Sequence, residues 1–174
     1  MTVSIAQTLA PRVFACILAG VLACSHGRPI VVGMRSAGPL KYGMTLDQAS
    51  HVLAETLKVR DSSCDMIESR ALPGIGLLIL RGYLERVDID TTGIATPEGI
   101  EVGATEHEVR RAYARLRSER RPYDDEDTTA HDLWVIPTDP ADSLFGLVFE
   151  TKGRQVTNYR AGRRPAVQFI EGCS

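Results

Sequence analysis

The sequence predicts an α+β fold: two helix-plus-antiparallel-hairpin repeats, with the helices packed on one face of a twisted antiparallel sheet. Three observations carry that expectation. Gly43-Met44-Thr45-Leu46-Asp47-Gln48-Ala49 returns sixty positions later as Gly103-Ala104-Thr105-Glu106-His107-Glu108-Val109. Each copy opens a run with apolar residues at helical spacing. Each run is followed by short apolar stretches punctuated by glycine turns, the pattern of hairpin strands.

Ahead of the repeats lies a segment of another kind. Arg12 precedes an uncharged run from Val13 to Ala23, too short for the roughly 20 residues that span a bilayer and suited to a signal-peptide core. Residues 1–23 are therefore expected to be an export signal. The run ends Val21-Leu22-Ala23-Cys24, which resembles a bacterial lipobox with Cys24 as the lipidated N-terminus. Val21-x-Ala23 equally suits an ordinary signal peptidase cutting at the same bond. A lipidated Cys24 would make this a membrane-anchored lipoprotein on the periplasmic or cell-surface side; an unlipidated one would leave it secreted or periplasmic. Residues 24–38 read as a tether with a short strand at Ile30-Val31-Val32.

The domain is expected over residues 39–174, in halves of about 39–92 and 97–174. Thr45 with Gln48 forms a capping box, and Leu46, Ala49, Val52, Leu53 and Leu57 mark one helical face ending near Lys58. Strands follow at Cys64–Ile67, Ile75–Arg81 and Leu84–Asp90, with Val87 and Ile89 facing one way and Asp88 and Asp90 the other. In the second half, Thr105 with Glu108 starts a helix whose face is Val109, Ala112, Tyr113 and Leu116, closed by Pro122. Leu133–Ile136, Leu144–Glu150 and Arg154–Arg160 are the next strands, and Ala166–Ile170 an added edge strand.

Composition bounds function. The 174 residues are 44% hydrophobic and 24% charged, an ordinary globular balance. A formal net charge of −2, more negative once Arg12 leaves, argues against nucleic acid as partner. With Cys16 in the signal and Cys24 lipidated, Cys64 and Cys173 remain. In an oxidising compartment an even remainder suggests a disulfide between them; two separate buried thiols are the alternative.

A Gly-Met-Thr helix start, then a helix and hairpin strands, in tandem behind an export signal, resembles the β-lactamase-inhibitor-protein fold. It is similar too to the small lipoprotein family of the outer-membrane assembly machinery. The likeness covers roughly residues 39–162. The ending, from Gly146-Leu147-Val148-Phe149-Glu150 through Val156–Gly162 to Gly172-Cys173, is similar to a group of exported bacterial proteins. These resemblances imply a non-enzymatic binding module whose concave sheet face, with its aromatics, holds a partner protein. The two cysteines within each half that a secreted inhibitor carries are absent.

Residue spacing supplies no catalytic centre, cofactor site or metal site. His26, His51, His107 and His131 fall in no His-x-x-x-His spacing, and no Cys-x-x-Cys exists to begin a zinc site. No Gly-x-Ser-x-Gly elbow marks a hydrolase nucleophile. Asp88 and Asp90 share a strand face as glycosidase carboxylates would, although solvent-side alternation explains them more simply. Arg110, Arg111, Arg115, Arg117, Arg120 and Arg121 read as a solvated helix face followed by an acidic loop at Asp124–Asp127. Trp134, Phe149 and Tyr159 lie on strands, either as core or, if exposed, as partner-binding anchors. The expectation is a binding module for an envelope or secreted protein; the alternative is a carbohydrate- or cell-wall-binding module using the same aromatics.

Overall fold

A computed structural model describes residues 29–121, 129–170 and 172–173. The expected export signal over residues 1–23, Cys24, His26 and the expected acidic loop at Asp124–Asp127 lie outside the described residues. Among those described, two short strands, β1 (Ser36–Ala37) and β2 (Leu40–Lys41), pair with each other. Helix α1 (Leu46–Leu53) precedes β3 (Cys64–Glu68), β4 (Gly76–Leu80) and β5 (Tyr83–Ile89). Helix α2 (Glu106–Ala112) precedes β6 (Leu116–Arg120), β7 (His131–Val135), β8 (Phe145–Lys152) and β9 (Gln155–Arg163). The seven longer strands form one antiparallel sheet in the order β3-β4-β5-β9-β8-β7-β6.

This corrects the expected fold class. The chain is mostly β, and its helices are not a layer laid over the sheet. They span 8 and 7 residues, below the length at which helices are stable without strong packing. Each contributes one buried residue, Ala49 and Val109. The core face of the sheet (Leu77, Ile79, Val87, Leu147, Phe149, Tyr159) is instead packed with Leu40 of β2 and with residues of the connections: Tyr42, Leu57, Ile94 and Ile100. Both capping boxes do form: the Thr45 hydroxyl accepts from Gln48 N–H and the Thr105 hydroxyl from Glu108 N–H. Neither helix runs far beyond its cap. α1 stops at Ala54, which adopts a left-handed φ of 50°. α2 stops before Tyr113, whose extended backbone leads into β6. Leu116–Arg120 thus form an edge strand on β7 and do not continue the helix to Pro122.

Two ends also differ from expectation. Residues 30–38 do not behave as a loose tether, because Val32 and Ala37 are fully buried and Val32 N–H donates to Ala95 C=O at 3.0 Å. Ala166–Gln168 form a 3₁₀ turn, not an edge strand. That turn sets Val167 on Trp134 and Val148, on the face of the sheet opposite the main core. Residues 164–170 thus make a strap across the second face, with Gly172 and Cys173 described beyond it.

The two halves join where β5 meets β9, from Arg86 opposite Gly162 to Ile89 opposite Tyr159. Gly162 is required there by space. A Cβ on it would stand 2.3 Å from Glu85 O and 2.6 Å from Arg86 Cα, both backbone atoms that cannot swing aside. Gly162→Ala is expected to destabilise by about 1–3 kcal/mol through overpacking at this seam. A denaturant midpoint unchanged from the parent chain would refute that.

Candidate functional site

The second face of the sheet carries the unusual chemistry. By strand alternation it should be the wet side, yet Arg86 and Arg160 are each only 2% exposed. Both reach the strap. Arg86 Nη1 donates to the carbonyls of Ala166 at 3.0 Å and Phe169 at 2.8 Å, while its Nε donates to Asp88 at 2.9 Å. Arg160 Nε donates to Val167 C=O at 2.9 Å. Its terminal nitrogens meet Glu150 and, at 3.4 Å, Asp132. Arg121 Nη2 closes the network on Glu150 at 2.8 Å. Buried guanidinium groups are retained when each donor finds an acceptor, and here half of the acceptors are strap carbonyls. Burial pulls the Arg160 pKa below its ordinary value, with Asp132 pulling the other way. Burial pushes Asp88 and Asp132 above the ordinary carboxylate value, outweighing the neighbouring arginines.

The strap's far end is covalently fixed. Cys64 and Cys173 form a disulfide across a sequence separation of 109, with Cα atoms 5.7 Å apart. The pairing expected from cysteine counting is therefore present. No helix among the described residues is long and apolar enough to cross a membrane.

The aromatics singled out in the sequence do not form a binding face. Phe149 is fully buried and Tyr159 is 1% exposed. They stack at 5.7 Å between ring centres in the main core, and Tyr159 O–H donates to Ile94 C=O. Trp134 does sit on the second face, but its ring has the guanidinium groups of Arg117 at 5.4 Å and Arg160 at 5.7 Å, with Val167 packed on it. A docking anchor must be reachable, so the expectation for these three residues is corrected. The sequence left open whether these aromatics face the core or solvent, and it could not tell that the strap covers Trp134.

Three of the open concavities among the described residues gather candidate chemistry. An acid-lined one of about 410 Å³ contains Glu68, Asp88, Asp90 and Glu150 together with Arg160 and Asn158. The sequence pair Asp88 and Asp90 does share this space, with Asp88 committed to Arg86. A second, of about 750 Å³, is bordered by His107, Arg110, His131 and Arg154. There Glu106 accepts from the Thr151 hydroxyl at 2.7 Å and meets His131 Nδ1 at 3.1 Å. Burial works to raise the Glu106 pKa, but these hydrogen bonds outweigh it and leave it lowered. The cluster ties α2 to β7 and β8. Among the described residues no group of three or more His, Cys, Asp or Glu side chains is gathered to hold a metal. His51 and His107 are exposed.

The third concavity, about 590 Å³, lies between the β4–β5 hairpin and the strap. Leu80, Tyr83, Pro165 and Phe169 give it an apolar floor beside the disulfide. Tyr83 is 46% exposed, a large aromatic left in water at its mouth. Arg81, Arg163 and Arg164 stand around it, with Arg163 Nη1 paired to Glu85 at 2.9 Å. Sequence reasoning passed over all of these residues. The signal available was the tail itself: once Cys173 bonds to Cys64, the segment after β9 must cross the sheet and create a border with the hairpin. Compared with models of protein families, with curated proteins and with solved structures, the chain matches none, so the functional reading rests on this geometry.

Proposed function

We propose that this chain is an exported, lipid-anchored, non-enzymatic binding module for an envelope or secreted protein, and that it docks through the groove between the β4–β5 hairpin and the strap. The observation that carries the reading is Tyr83, an exposed aromatic over an apolar concavity with an arginine rim. Aromatic and arginine side chains at a pocket are the usual anchors of protein interfaces. The uncharged run from Val13 to Ala23 followed by Cys24 supports export and anchoring, and the disulfide is consistent with an oxidising compartment. The carbohydrate reading loses the aromatics it was placed on, because Trp134 is covered and Phe149 and Tyr159 are core.

A photo-crosslinking residue at position 83, in the chain expressed in its native envelope, tests the reading. Position 136, an exposed isoleucine beyond β7, serves as the control. One discrete protein adduct from position 83 and none from position 136 is the expected result. Adducts from both positions or from neither would remove the groove as the docking site.

A further inference from the structure

We propose that the groove selects, on its partner, an extended segment in which acidic residues flank an aliphatic or aromatic side chain. The inference rests on the protein-binding reading above and narrows it to a chemistry. The chain as a whole carries −2, yet among the described residues the groove sets Arg81, Arg163 and Arg164 against one carboxylate, Glu85. Glu85 is already paired with Arg163. Arg164 Nε donates to Phe145 C=O at 3.2 Å, which positions its guanidinium. Arg81 is exposed at the hairpin turn and has no ion pair among the described residues. A positive patch on an acidic protein is an attraction for anions that the overall charge would otherwise repel. Guanidinium forks match carboxylates in bidentate geometry.

The floor decides what else the ligand must carry. Leu80, Pro165, Phe169 and the ring of Tyr83 can take an apolar side chain, and about 590 Å³ falls within the size range of small-ligand pockets. The shape favours a peptide over a lipid surface. A bilayer accepts apolar groups that project from a protein, whereas a concavity accepts groups that project from its partner. Acidic residues on either side of one apolar anchor satisfy the rim and the floor together.

The test uses the processed protein in nanodiscs of neutral lipid and three short fluorescent peptides with the same Leu-Phe centre. Their flanks are Asp and Glu, Asn and Gln, or Lys. The acidic peptide is expected to bind about tenfold tighter than the neutral one and the basic peptide weakest, with each of Arg81→Glu and Arg164→Glu weakening the acidic peptide about threefold, as exposed ion pairs do. Raising ionic strength from about 0.05 to about 0.5 M should erase most of the difference. Equal binding of acidic and basic peptides, or indifference to both arginine changes, would overturn the proposal. So would binding to phosphatidylglycerol vesicles that depends on Arg81 when no peptide binds, since the patch would then face a membrane. A position-83 adduct that survives Arg81→Glu and Arg164→Glu would sink the charge preference and leave the binding reading intact.

Discussion

Replacing Arg160 with methionine is expected to cost about 3–5 kcal/mol at neutral pH, the range found when one partner of a buried ion pair is removed. That is a large part of the about 5–15 kcal/mol that holds a domain folded. Arg160 is 2% exposed and serves Glu150, Asp132, the Val167 carbonyl and the Trp134 ring at once. Without it Glu150 keeps Arg121 at 2.8 Å, but among the described residues Asp132 keeps only the same guanidinium at 3.7 Å. The deficit should depend on pH in a definite direction. Burial already raises the folded-state pKa of Asp132 despite Arg160 and Arg121, and loss of Arg160 raises it further. An acid whose folded pKa lies above its unfolded value, about 4 for aspartate, favours folding when protonated. That contribution is intact below the unfolded pKa and disappears as pH rises through the folded one. The loss on Arg160→Met should therefore be smaller near pH 4 than near pH 7. Urea unfolding of both proteins at the two pH values decides it, and equal losses would mean that packing, not the buried carboxylates, sets the cost. Adding Asp132→Asn and Glu150→Gln to Arg160→Met should recover a large part of the loss at pH 7, because neutral groups tolerate the same burial better.

How much of the fold was legible depends on what is local. The hairpins were, because their turns are written in adjacent residues: Arg81 and Gly82 adopt φ of 50° and 81°, and Gly153 and Arg154 adopt 59° and 65°, the positive values that tight hairpins need. The helix starts were, because a capping box is a four-residue device. The end of α2 was not. Val109, Ala112, Tyr113 and Leu116 fit a helical face, but Tyr113 reaches the core from an extended backbone, with its ring 5.5 Å from that of Phe149. Leu116–Arg120 then pair with β7. An edge strand is defined by its neighbour, and the neighbour here, His131–Val135, comes from farther along the chain.

The site was hidden for a related reason. Arg86, Asp88, Asn158 and Arg160 alternate with apolar residues, which in sequence is the mark of a solvent face. Only the strap turns that face into an interior. A hint was present in Gly146 and Gly162, which pair across β8 and β9. A Cβ on Gly146 would stand 2.8 Å from Val167, so the missing side chain makes room for the strap. The cysteine count also contained the answer. In the order β3-β4-β5-β9 a tail leaving β9 must cross two strands to reach Cys64 on β3, roughly 14 Å at the usual strand spacing. Pairing the cysteines without asking what the tail crosses leaves Arg86 on β5 a solvent residue in the sequence reading when it is covered in the fold.

Reducing the Cys64–Cys173 bond is expected to lower stability by about 4–5 kcal/mol on the chain-entropy scale for a loop of this length. The corresponding fall in Tm is roughly 10–15 °C for a chain of this size. The effect comes mainly from the unfolded state, which gains the freedom that a closed loop of 109 residues denies it. The folded strap keeps its other fastenings, namely Val167 on Trp134 and the three carbonyls held by Arg86 and Arg160. Those fastenings hold residues 166–169; beyond them, among the described residues, the disulfide holds Cys173 beside Leu80. Amide exchange in the reduced protein should therefore stay slow at Phe169, whose N–H donates to Ala166 C=O, and speed up at Gly172. The groove shares the disulfide as part of its wall. Peptide binding should accordingly weaken on reduction well below the new Tm, while the sheet is still intact. A reduced protein that melts within about 2 °C of the oxidised one, far inside the shift expected for such a loop, would show that the tail is held by its arginines alone. One that melts early but binds unchanged would place the ligand away from the strap.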